Sequence, residues 1–140
     1  MRPFSGIRPL FERIKELDRQ IGLATTCQPD ELSYYGSILG VFDLIDAVAC
    51  GEDVKRGKPH PDLFIVTLRR LGIEGRSATA LGDSPYDTMA AAKAGIAGIA
   101  GALTGGFSRE ELQTAGCQLA VESVTELLPA VQQPQFAHSE

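Results

Sequence analysis

Short apolar runs alternate with amphipathic helical stretches along the whole 140-residue chain, and this alternation limits the fold more than any other feature. Ile7, Leu10, Phe11, Ile14 and Leu17 recur at helical spacing and predict a first amphipathic helix. IGLAT (21–25) reads as a short buried strand. Pro29 and Asp30 open a helix that Gly40 closes. AVAC (47–50) is a second strand, followed by the polar loop GEDVKRGKPH. Pro61 and Asp62 start a further helix, which Gly72 ends. ATALG (78–82) is a third strand. Pro85 opens an alanine-rich helix that stops at Gly95, and GIAGIAGAL (95–103) is a strand running into a loop. Ser108 with Glu111 makes a capping box for a helix ended by Gly116. QLAVE (118–122) is the last strand, and Ser123 with Glu126 is a second capping box. Residues 1–132 form one expected core domain, and 133–140 a polar tail.

Strands alternating with helices imply an α/β fold, a Rossmann-like three-layer sandwich with a mainly parallel sheet. At 44% hydrophobic and 22% charged, the chain can fill such a core. A net charge of −5 without a Lys/Arg cluster argues against a nucleic-acid surface. No apolar run approaches the roughly 18 residues that span a membrane, and MRPFSGIRPLFERIKEL contains no signal-peptide core. Cys27, Cys50 and Cys117 have no CxxC spacing, and His60 and His138 stand in no zinc-ligand pattern. The expectation is a cytoplasmic protein with reduced thiols that engages neither nucleic acid nor membrane.

Ligands of such sheets bind at the carboxyl ends of the strands. The residues there are Thr25-Thr26-Cys27, Gly57-Lys58-Pro59 and Gly82-Asp83-Ser84. Asp83 ends a strand and Asp87 lies one turn into the next helix, and paired hard carboxylates suit Mg²⁺. The same pair also fits a local role, with Asp83 as helix N-cap and Asp87 as a first-turn acid. Lys58 can neutralise a phosphate as a point charge, or simply be a solvated loop lysine. The Thr25 hydroxyl, with the amides after it, can donate to phosphate oxygens, or cap a strand end. Each residue alone has its bland reading. Together a hydroxyl, a lysine and an acidic pair follow three strands of one sheet, and all are types that bind phosphate or its metal. A P-loop is excluded because Pro59 follows Lys58 and the spacing from Gly51 is one too long. Gly95, Gly98 and Gly101 lack dinucleotide-fingerprint spacing and fit close packing or bends. A phosphate-accepting receiver domain places its acidic residues first along the chain, whereas the order here is Thr, Lys, Asp, Asp. His60 reads as a loop residue and Cys27 as a small filler.

The segments GLATT, GEDVKRGKPHPDLF and ALGDSPYDTMAAAKAG resemble motifs two, three and four of the haloacid dehalogenase superfamily. The likeness runs from about Gly6 to Val131 and is closest to the phosphoglycolate phosphatase and β-phosphoglucomutase branch. It implies that Thr25, with Thr26 beside it, binds the transferring phosphoryl group. Lys58 would bridge phosphate and nucleophile, Asp83 would coordinate Mg²⁺, and Asp87 would complete that shell and tie down its loop. The implied activity is Mg²⁺-dependent hydrolysis of a small phosphorylated metabolite, as in phosphoglycolate phosphatases.

One part of the pattern is missing. The family's first motif, Asp-x-Asp after an apolar strand, supplies the nucleophile, and this chain has no Asp-x-Asp. Its first aspartate, Asp18, is expected on the polar side of the opening helix. The helical cap that follows the first motif is missing too. The core is therefore expected to lack its central strand and the chain to be inactive alone. The strands ending at Thr25 and Asp83 lose their shared neighbour. They then pair directly, or receive a strand from a partner chain or by self-association, or the sequence is a truncated reading of a longer protein, which is the expectation taken here. The alternative function is a non-catalytic phosphate-binding or assembly module whose partner supplies the strand.

Overall fold

The computed structural model describes residues 7–25 and 42–122. The expected helix after Pro29, the Ser123/Glu126 capping box, the tail, Thr26 and Cys27 lie outside them. Four helices and five strands follow in order: α1 (Ile7–Glu16), β1 (Gly22–Ala24), β2 (Ala47–Ala49), α2 (Asp62–Leu71), β3 (Thr79–Gly82), α3 (Pro85–Lys93), β4 (Gly98–Ala102), α4 (Arg109–Ala115) and β5 (Leu119–Val121). The α/β alternation is as the apolar pattern predicts. Gly72 ends α2 in the left-handed conformation with φ 73°, where a residue without Cβ is favoured. Asp18 departs from expectation. The helix stops at Glu16, and Asp18 sits in the turn beyond it with φ 66°, a conformation Asp tolerates better than most residues.

All ladders are parallel, but the described strands form two sheets. β1 pairs with β2, Gly22 opposite Ala47 and Ala24 opposite Ala49. β3, β4 and β5 make the other, with Thr79 opposite Gly98 and Ala102 opposite Val121. β1 and β3 share no ladder, so these two strands do not pair directly.

Successive residues of β4 face opposite layers. On one face Ala100 packs with Val121 against Leu10 of α1, with Phe11 and Ile14 alongside. On the other, Ile99 packs with Ala80, Leu68 of α2 and Ala91 of α3. Leu112 of α4 covers Ala120 and Cys117 on that same face. Helices thus lie on both sides of the β3–β5 sheet, as a three-layer sandwich requires. Both outer layers also reach the β1–β2 unit. α2 lies so close on β1 that a Cβ at Gly22 would stand 2.6 Å from Thr67 Cγ2. From α1, Arg8 grips Asp43 bidentately at 3.0 and 2.8 Å, and Lys15 pairs with Asp46, which also accepts the Ile21 N–H at 2.7 Å. These pairs are exposed and contribute orientation more than stability.

Candidate functional site

The carboxyl ends of β1 and β3 meet at one lysine. The Lys58 ammonium donates to the Ala24 carbonyl at 3.0 Å and stands 2.7 Å from Asp87 Oδ1. It also lies 5.2 Å from the centre of the Phe64 ring, within cation–π range. Both Lys58 and Asp87 side chains are enclosed, with 16% and 14% exposure, so neither is an ordinary solvated charge. Thr25 follows Ala24 directly and stays in the β1–β2 ladder through its N–H to Ala49 O at 2.9 Å.

Asp87 is held from its own helix start. Its Oδ2 accepts from the Asp83 N–H at 3.1 Å, the Ser84 N–H at 3.2 Å and the Ser84 hydroxyl at 3.2 Å. The Ser84 hydroxyl in turn accepts the Asp87 N–H. This is a capping box with Ser84 as N-cap and Asp87 at the third position. Asp83 is therefore not the cap, contrary to the local reading of this pair. The sequence S-P-Y-D is itself the signature of a capping box, and the sequence reading passed it over. The lack of a side chain at Gly82 makes room for this fold-back, since a Cβ there would meet Asp87 Cβ at 2.3 Å. On the other side, Gly105 abuts Asp83, and a Cβ at Gly105 would come within 2.2 Å of Asp83 O. Phe64 closes the GKPHPDLF segment that resembles motif three, whereas the closeness of Gly105 to Asp83 was not read from the sequence.

The two carboxyls are pushed in opposite directions. For Asp83, partial desolvation and then the Asp87 charge raise the pKa above the usual carboxylate range, with Lys58 offsetting only a little. For Asp87, burial would also raise it, but the Lys58 charge and the hydrogen bonds from Asp83 and Ser84 win and hold it low. A group whose folded pKa is raised adds stability that is full below its unfolded pKa and is lost as pH rises through the folded value. Asp83→Asn is therefore expected to melt at higher temperature than the parent at neutral pH, with the gain vanishing in acid below the ordinary carboxylate range. Thermal melts at both conditions check this, and equal stability at neutral pH would refute it. Asp87 has the opposite linkage. Its contribution is full above its unfolded pKa and fades as pH falls through the lowered folded value.

Lys58, Asp83, Asp87 and the end of β1 that carries Thr25 thus form one mouth. Thr26 is not among the described residues. No group of three or more His, Cys, Asp or Glu suited to a metal occurs among the described residues. Cys50 and Cys117 are free and buried, and burial raises both thiols. No described helix is long and apolar enough to cross a membrane.

The family model of haloacid dehalogenase-like hydrolases matches residues 1–100. The chain belongs to this family. The phosphoglycolate phosphatase of Yersinia pseudotuberculosis is 32% identical over 138 residues, covering 98% of this chain and 59% of that protein. A hydrolase from Pseudomonas syringae superposes with a TM-score of 0.83 at 27% identity, over 90% of this chain and 58% of that one. CbbY from Rhodobacter sphaeroides, crystallised with phosphate, gives 0.76 at 30% identity, over 90% and 55%. These likenesses place the chain in the phosphoglycolate phosphatase and β-phosphoglucomutase-like branch. The chain spans about half the length of the curated relatives it matches.

Proposed function

We propose that this chain is the phosphate-gripping part of a Mg²⁺-dependent phosphomonoesterase acting on a small phosphorylated metabolite of the phosphoglycolate type. The observation that carries the reading is the single lysine that touches both the end of β1 and Asp87 beside the end of β3. Phosphoryl transfer needs positioning and charge neutralisation more than covalent work from the protein. Lys58 provides a fixed positive charge whose place is set by two contacts rather than by a free tether. The Thr25 hydroxyl, with Thr26 following, offers donors for the phosphoryl oxygens. Asp87, with both oxygens engaged, positions Lys58 and the Asp83 loop and is poorly placed to bind anything else. Asp83, the more exposed of the two although its side chain also meets Asp87, offers the carboxylate to a cation.

The donor chemistry fits Mg²⁺ in its minimal form, one or two carboxylates completed by water and phosphate oxygens. Asp83 would be the direct ligand: its carboxyl is pushed up first by desolvation and then by the neighbouring Asp87 charge, and a bound cation would offset both. Bound there, Mg²⁺ supplies charge neutralisation at the phosphoryl oxygens.

Without an Asp-x-Asp motif, the chain by itself has no nucleophilic carboxylate matching the family's first motif. Assayed alone with a generic phosphate ester and Mg²⁺, it is expected to show no turnover, and sustained release of phosphate would contradict this account. Binding tests the site itself. Inorganic phosphate added with Mg²⁺ is expected to shift the amide resonances of Thr25, Gly82 and Asp83, and Lys58→Met is expected to remove the effect. Shifts confined to other regions, or unchanged in Lys58→Met, would overturn the reading.

A further inference from the structure

Gly105 is a glycine that its own backbone does not require. The turn after β4 runs through Leu103–Gly105, and Gly106 behind it takes the left-handed conformation with φ 87°. Gly105 lies outside that region, so an alanine there would meet no conformational penalty. What excludes a side chain at Gly105 is contact. The three nearest atoms to a Cβ placed there would all belong to Asp83: the carbonyl oxygen at 2.2 Å, Cγ at 2.9 Å and Cβ at 3.0 Å. A Cβ at Gly106 would meet nothing within 4 Å. The two neighbouring glycines therefore serve different ends. Gly106 supplies the backbone of the turn, and Gly105 supplies room for Asp83.

Asp83 is gripped on both flanks. On the α3 side, Asp87 Oδ2 accepts its N–H at 3.1 Å, and Gly82 before it is held in the ladder opposite Gly101. On the β4 side, Gly105 backs its carbonyl and its side chain. The turn is not free to withdraw. Leu103 and Phe107 pack against the Leu112 cluster, and the Gly106 N–H donates to the Leu103 carbonyl at 3.3 Å. The atom that an added methyl would strike first is a backbone oxygen, which cannot swing aside as a side-chain tip can. The methyl would therefore displace Asp83. A carboxylate held in place beforehand binds a cation without the cost of ordering it first.

We infer that Gly105 is a positioning residue: it admits the turn after β4 against Asp83 and so fixes the carboxylate that would meet Mg²⁺. The inference deepens the phosphatase reading and rests on Asp83 as the ligand. Gly105 brings no side-chain donor of its own and acts through Asp83 alone.

The test is a titration of the full chain with Mg²⁺ alone, following the amide resonances of Asp83 and Gly105. Parent, Asp83→Asn, Gly105→Ala and Gly72→Ala are compared. Gly72 has φ 73° and open space around its Cβ position, so its alanine variant loses stability through the backbone without touching Asp83. In the parent both resonances are expected to shift at one midpoint, and Asp83→Asn is expected to abolish the response. Gly105→Ala should raise the midpoint about ten- to a hundredfold, the range for groups that orient metal ligands, while Gly72→Ala leaves it unchanged. A Gly105→Ala midpoint equal to the parent's overturns the inference and leaves Asp83 as the ligand. An equal rise in Gly72→Ala overturns it too, since the effect would then be one of stability alone. No response at Asp83 in the parent overturns the ligand reading and the inference together. Should Gly105→Ala not fold, the parent decides: a Gly105 resonance shifting with Asp83 supports the inference, and one that stays still overturns it.

Discussion

Replacing Asp87 with alanine is expected to destabilise the chain by about 3 kcal/mol, the order found when one partner of an enclosed ion pair is removed. Two losses combine. The Lys58 ammonium, only 16% exposed, would keep the Ala24 carbonyl but lose its counter-charge. The N–H groups of Asp83 and Ser84 and the Ser84 hydroxyl would also lose their shared acceptor, each at the cost of an unsatisfied or re-solvated donor. Asp87→Asn keeps the shape and one acceptor oxygen, and should fall between parent and alanine variant. Urea unfolding of the three proteins reads the order directly. If Asp87→Ala cost no more than an ordinary surface substitution, the account of the Lys58–Asp87 pair as the tie between β1 and β3 would fail. The loss should also shrink in acid, because the low Asp87 pKa means its contribution fades as the carboxylate protonates.

The part of this site that could be read from sequence is the part fixed by local spacing. A lysine in the loop before α2 and an aspartate one turn into α3 each follow a strand-like run, and parallel topology brings such positions to one edge. Strand positions were legible for the same reason, since AVAC, ATALG and QLAVE are short apolar runs between turn residues and lie within one residue of β2, β3 and β5. What the sequence reading missed depends on geometry across the chain or on competition between neighbours. Ser84 and Asp83 both qualify as caps by residue type, and only the backbone shows that the Ser84 hydroxyl, not the Asp83 carboxylate, accepts the Asp87 N–H. The closeness of Gly105 to Asp83 joins residues separated by a whole strand and helix. Asp18 was misplaced because the apolar spacing through Leu17 suggests a helix longer than the one that forms. The division of the described strands into two sheets was not read from the sequence, which left direct pairing of β1 with β3 among the open outcomes. The charged pair that joins the ends of β1 and β3, Lys58 on the Ala24 carbonyl and Asp87 on the Asp83 N–H, could not be foreseen without the backbone geometry.

Leu112→Ala should be among the most damaging changes outside the charged mouth, at about 3 kcal/mol for a fully buried leucine cut to alanine. Leu112 is 0% exposed and packs with Cys117 and Ala120, with Leu103 and Phe107 against the same cluster. Its Cδ1 sits where a Cβ at Gly101 would be only 3.0 Å away, so α4 lies almost in contact with the β4 backbone. Truncation leaves a void there that the glycine cannot fill, and a void forfeits both transfer energy and contacts. The consequence reaches the site through Leu103 and Phe107, which flank the turn that presses Gly105 against Asp83 O. A loosened turn would hydrate Asp83, and the first cause of its raised pKa is desolvation. The Asp83 carboxyl in Leu112→Ala should therefore titrate closer to the usual carboxylate range than in the parent, measurable by carbon-detected NMR of the side-chain carboxyl. Loss of stability with an unchanged Asp83 titration would mean that α4 supports only the core, and that the 103–107 turn holds its place against Asp83 without it.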